Sequence, residues 1–238
     1  MHAHRRSIFK VIQFPVYWVL IIWLVHLLKL SLNLNFSQFG LLPREPSGLI
    51  GVFTSPFIHG SFQHLMSNSV PLFVMSFLIL FFYRRIAYQS IFLIYLITGL
   101  AVWSFARPNV IHIGASGVIY GLVSFVFWTG IFRRNVKSIM LALVITIFYS
   151  GLFLGVLPNQ KGISWESHLF GGLVGILVAY WMKDKREKDE EPNDPWANEK
   201  GSDEYFLPPD AFEETMMERA RRRSMERGGN MSRTDDYN

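Results

Sequence analysis

Six apolar runs separated by short polar connectors organise most of the chain. They cover about residues 14–32, 62–83, 86–105, 116–132, 137–157 and 165–182, each near the ~20 residues that cross a hydrocarbon core as a helix. In lipid only a helix lets a single segment satisfy its own backbone, so the pattern predicts six membrane-spanning helices. The fourth run is the shortest. Its roughly 17 residues reach about 25 Å at 1.5 Å each, short of the ~30 Å core, so one of its ends is expected below the membrane surface. The first run follows Arg5 and Arg6 as a signal peptide would. No small-residue cleavage pattern follows it, and it continues to Leu34, so it reads as a retained span.

Composition supports that reading. The 238 residues are 50% hydrophobic, 16% aromatic and only 17% charged, with a mean hydropathy of +0.24. A soluble domain seldom combines so few charges with so much apolar surface. The pattern divides the chain into a cytosolic segment 1–13, an all-α six-helix membrane domain 14–183 and a charged tail 184–238. The tail, rich in charge, Pro, Asn and Gly, is expected to be mostly disordered. A short helix near Pro209–Arg227, capped by Asp210, is its one candidate element, with Arg219–Arg223 as a solvated face or a contact to anionic lipid. No cysteine is present, which excludes disulfides, thiol catalysis and thiolate metal sites. The net charge of +5 sits beside the spans, where lipid head groups are the simplest partner.

Lys and Arg placement sets an orientation. Arg5, Arg6, Lys10, Arg84, Arg85, Arg133, Arg134, Lys137, Lys183, Lys185, Arg186 and Lys188 fall on one side, and Lys29, Arg44, Arg107 and Lys161 on the other. The excess puts both termini in the cytosol, and spans two, four and six then begin at the outer face.

Polar groups within a span are costly and need a reason. His64 and Asn68 on span two, Ser116 at the start of span four and His168 at the start of span six all fall in the outer leaflet. Ser116 lies in Gly114-Ala115-Ser116-Gly117. A helix N-terminus offers unpaired N–H groups to a developing oxyanion, and the glycines permit a tight turn. A serine capping a short helix accounts for the same residues. Serine needs a base to become a nucleophile, and His168 is of the usual type. Gly171 and Gly175 on its span, like Gly117 and Gly121 on span four, are four apart, so two small-residue stripes can bring the spans close. Tyr120 shares the Ser116 face and could pack on an imidazole. His64 and Asn68, at i and i+4, point the same way and could either stabilise an oxyanion or bridge helices.

At this point the chain resembles the rhomboid family of intramembrane serine proteases. The match runs from H-G-S-F-Q-H-L-M-S-N (His59 to Asn68) through G-A-S-G-V-I-Y-G (Gly114 to Gly121) to H-L-F-G-G-L-V-G (His168 to Gly175). It covers about residues 10–183 and none of the tail. The resemblance implies Ser116 as nucleophile and His168 as base, a dyad without aspartate. It implies an oxyanion hole from His64, Asn68 and the Ser116 N–H, with Tyr120 packed under the imidazole. His59 matches a structural histidine, and Gly171 and Gly175 match a close helix contact. One departure concerns the first external loop, where relatives carry a Trp-Arg pair and this chain has Pro43-Arg44-Glu45-Pro46. Glu166, two residues before His168, is expected to point elsewhere.

The resemblance implies transmembrane protein substrates within the bilayer, no metal or other cofactor, no nucleic acid and an inner (plasma) membrane of bacterial type. Two rivals are weighed. A non-catalytic rhomboid-like client-binding protein would typically lack the serine or the histidine, which this chain keeps. A small transporter would show internal repeats and midplane polar sites.

Overall fold

The computed structural model describes residues 2–134, 139–142, 144, 164–185, 187 and 215–231. These residues are all-helical apart from connecting loops and one isolated bridge, Leu41 with His112. Contacts divide the chain into two units, Met1–Glu191 and Pro192–Asn238.

In the first unit, α1 is His2–Ser31, the short α2 is Gly51–Thr54, α3 is Phe62–Phe82, α4 is Ala87–Phe105, α5 is Ser116–Arg133 and α6 is Trp165–Met182. Among the described residues four segments are long and apolar enough to cross a membrane: Phe9–Ser31 of α1, α3, α4 and α5. α6 is as long as α5, but Glu166, Ser167 and His168 open it and lower its hydropathy. The predicted span 137–157 lies almost wholly outside the described residues, so the structure accounts for five of the six expected runs.

Local signals explain the helix ends. The Ser61 side chain accepts the His64 N–H at 3.1 Å and caps α3. α5 follows Gly114, whose φ of +106° no side chain tolerates easily, and ends at Arg134 in the left-handed region. Its 18 residues reach about 27 Å, shorter than a typical hydrocarbon core.

α5 is the central helix. Its Val118, Ile119, Leu122, Phe125 and Val126 are all buried, whereas Leu20, Leu24 and Leu27 of α1 are exposed apolar side chains. An outward apolar surface of that extent suits lipid and not water. α5 packs most extensively on α6, through the two glycine stripes. A Cβ on Gly171 would lie 2.0 Å from the Gly117 carbonyl oxygen, and one on Gly175 2.3 Å from that of Gly121. A Cβ on Gly172, which faces away, would meet nothing. Ser124 Oγ–H donates to the Gly172 carbonyl at 2.7 Å across the same seam.

The segment between α1 and α3 folds onto the C-terminal end of α4. Arg44 Nη2 donates to the Ala106 carbonyl at 3.1 Å, its backbone N–H to the Trp103 carbonyl at 2.9 Å, and Trp103 Nε1 to the Glu45 carbonyl at 3.0 Å. A guanidinium at the negative end of α4 is electrostatically well placed. The tryptophan absent from the Pro43–Pro46 loop is thus met by one on α4. Lys29, counted among the outer basic residues, donates to the His59 carbonyl at 3.0 Å and the Gly60 carbonyl at 3.2 Å, holding the turn before α3.

In the second unit, α7 is Met216–Met231. The expected tail helix therefore starts later than Pro209, and Asp210, outside the described residues, is not at its first turn. Thr215 and Glu218 form the cap instead. The Glu218 N–H donates to Thr215 Oγ1 at 3.3 Å and the Thr215 N–H to Glu218 Oε2 at 2.9 Å, a reciprocal capping box.

Candidate active site

The N-terminal ends of α3, α5 and α6 converge. Ser116 is the first residue of α5 and is half-buried. His168 lies in the first turn of α6 and is buried. Their side chains meet, His168 Nε2 lying 2.9 Å from Ser116 Oγ. With its proton on Nδ1, the ring accepts the serine O–H at that distance. Tyr120, one turn below Ser116, stacks on the imidazole with centroids 4.1 Å apart and planes 7° apart. The ring plane is thereby fixed by one neighbour and the Nε2 direction by another.

His64 approaches from α3 against the turn before Ser116. A Cβ on Gly114 would lie 2.6 Å from His64 Cε1 and Nε2, so this close approach requires glycine. The Gly114 N–H donates to the Ser55 carbonyl at 2.9 Å and holds the turn to the segment between α1 and α3. Asn68 is buried, and one of its Nδ2 hydrogens goes to the His64 carbonyl at 2.8 Å. The amide has a second N–H to offer. His59 is buried beside His64, the rings 5.0 Å apart edge to face. Burial, then the neighbouring His64, push His59 down to about 4, so it is neutral at neutral pH.

Glu166 does turn away from the pair. Its Oε1 accepts the Arg107 backbone N–H at 2.9 Å and Arg107 Nε at 3.0 Å. The structure adds residues that the apolar pattern did not single out. His112 Nδ1 bonds Ser164 Oγ and lies 3.2 Å from Ser167 Oγ, and the two hydroxyls are 2.6 Å apart. His112 and Ser164 sit in connectors and Ser167 in the first turn of α6, where one hydroxyl or imidazole is unremarkable and no periodicity marks it. Among the described residues no cluster of three His, Asp or Glu is placed to hold a metal ion.

Comparison with known proteins identifies the family. Residues 46–185 match the model of the Rhomboid domain. An uncharacterized protein of Mycobacterium tuberculosis is 31% identical over 179 residues, 72% of this chain and 75% of the relative. L523 of Acanthamoeba polyphaga mimivirus, provisionally named a rhomboid protein, is 29% identical over 55% of this chain and 74% of its own length. YdcA of Bacillus subtilis, provisionally named a rhomboid protease, is 23% identical over 58% of this chain and 69% of its own length. The chain belongs to the rhomboid family. It is an integral, multi-pass membrane protein of a family that acts on membrane-protein substrates within the bilayer.

Proposed function

We propose that this rhomboid is an intramembrane serine endopeptidase in which Ser116 attacks and His168 serves as base. The single observation that carries this reading is the 2.9 Å contact between Ser116 Oγ and His168 Nε2, made with the imidazole stacked on Tyr120. Ser116 Oγ adds to the scissile carbonyl as its proton passes to Nε2. The oxyanion is held by the Ser116 N–H at the positive end of α5, with the His64 ring and the free N–H of Asn68 as further donors. His168 then protonates the leaving amine, and water releases the acyl-enzyme. The donors stand ready before reaction, so they lose little to reorganisation.

Because Ser116 opens a helix too short for the bilayer, it lies just below the outer surface when both termini are cytosolic. That placement favours single-pass substrates whose helix unwinds near the outer leaflet. Residues 14–183 are sufficient for the chemistry, and no metal or cofactor takes part.

The test is cleavage of a single-pass substrate by purified protein in liposomes. Ser116→Ala and His168→Ala should each lower the rate by at least about 10³-fold with unchanged melting. His64→Ala or Asn68→Ala should cost about 10²–10³-fold in kcat. Cleavage persisting in both dyad variants removes the Ser116–His168 assignment, and absence of cleavage by the wild-type protein leaves a client-binding rhomboid.

A further inference from the structure

The connector between α4 and α5, residues 106–115, delivers Ser116. It is fastened to the segment that delivers His168 at two points. Near its start, the Arg107 backbone N–H and Nε both bond Glu166 Oε1, at 2.9 and 3.0 Å. The Arg107 guanidinium also lies 5.7 Å over the Trp165 ring. Four residues before Ser116, His112 Nδ1 contacts the hydroxyls of Ser164 and Ser167. Glu166 and Ser167 immediately precede His168. The backbone of His112 is also paired with Leu41, its N–H and carbonyl bonding at 2.8 and 2.9 Å. Three segments therefore meet at His112: the first external loop, the approach to Ser116 and the start of α6.

The glycine seam fixes the distance between α5 and α6 lower down. At the end where the reacting atoms are, Gly117 completes the seam, a Cβ there lying 3.1 Å from the Ser167 carbonyl oxygen, and close packing of this kind restrains separation more than sliding or rotation. A carboxylate bonded to a backbone N–H restrains those motions, because its acceptor is tied to main chain on one side and to the α6 first turn on the other. Glu166 is buried while the Arg107 side chain is 60% exposed, so the backbone bond is the protected half of the pair.

We propose that Glu166 and the His112–Ser164–Ser167 cluster are positioning residues that set the register of His168 on Ser116. They touch neither substrate nor the reacting oxygen. This rests on the protease reading above, and it assigns the external connector a part in the rate of the chemical step.

The test uses the full chain and two readouts. One is the rate at which a fluorophosphonate probe labels Ser116, where the Oγ–P bond forms, fluoride leaves and the serine proton goes to His168. The other is kcat and KM on a single-pass substrate. Glu166→Gln keeps an acceptor at Oε1 and should label within about threefold of wild type, while Glu166→Ala should label at least about tenfold more slowly, with kcat lowered and KM unchanged. Ser164→Ala/Ser167→Ala, which removes two small hydroxyls and opens little space, should slow labelling about fivefold even if Glu166→Ala does not fold. Wild-type labelling rates in the serine double variant and in any folded Glu166→Ala overturn the proposal, as does a change in KM alone. Equal labelling of wild type and Ser116→Ala sinks the protease reading itself and this inference with it.

Discussion

Tyr120 and His59 show how differently two buried aromatic side chains bear on the site. Tyr120 lies parallel to the His168 ring at 4.1 Å, so it meets the imidazole with its ring face. Tyr120→Phe should therefore keep most of kcat, and Tyr120→Ala should lower it about 2–10-fold, the worth of one aromatic contact. Liposome cleavage assays decide between the two, and equal losses in both variants would transfer the role to the hydroxyl. His59 acts on stability. Its folded-state value of about 4 lies below the ~6.5 of an unfolded histidine. Below about 6.5 the unfolded chain takes up a proton that the folded chain refuses, so stability is full above that pH and is lost as pH falls toward 4. Beside burial, His64, His26 and Lys29 disfavour its protonation, and a hydrogen bond with the Phe57 backbone favours it. The melting temperature in detergent should fall across that window, and His59→Phe should flatten the fall. Identical slopes in both proteins would assign the acid sensitivity to another group.

At the scale of elements, the α5–α6 seam is the feature most exposed to substitution. Gly171→Ala places a methyl 2.0 Å from the Gly117 carbonyl, which backbone cannot yield without moving a helix. It should cost about 1–3 kcal/mol and reduce cleavage, because separating the helices also separates His168 from Ser116. Gly172→Ala, one residue along and facing open space, should change neither. Melting and cleavage measured together test this, and a harmless Gly171→Ala would show that the seam has slack. The seam was legible in the chain as two pairs of glycines four apart, since helical periodicity maps spacing onto faces. The connector network was not. Arg107, His112 and Ser164 come from connectors and Ser167 from the first turn of α6, and only the folded path of residues 106–115 brings them together. The tail helix shows the same limit on a smaller scale. Both Asp210 and Thr215 are capping residue types, and the reciprocal bond with Glu218 decided for Thr215.

For the whole molecule, the two contact units predict separable roles. A chain ending at Glu191 should retain the cleavage rate of the full protein, measured in the same liposomes. Loss of activity on truncation would give the tail a part in the membrane unit. The absence of cysteine makes orientation directly measurable. Gln38→Cys, exposed in the segment between α1 and α3, should react with an impermeant maleimide applied outside intact cells. Ser224→Cys, exposed on α7, should react only after permeabilisation. The reverse pattern would invert the molecule and move Ser116 to the cytosolic leaflet.

What the sequence determined by itself was the membrane class, the helical runs and the types of residue available for chemistry. Those follow from local composition and spacing, because lipid allows a single apolar segment only one way to satisfy its backbone. The tertiary structure alone decided which polar groups touch. Ser116 and His168 are 52 residues apart in the chain and 2.9 Å apart in the fold. The packing of glycine on glycine between α5 and α6, with a bonded connector above it, sets that distance. A sequence can offer such contacts, but only the assembled helices select among them.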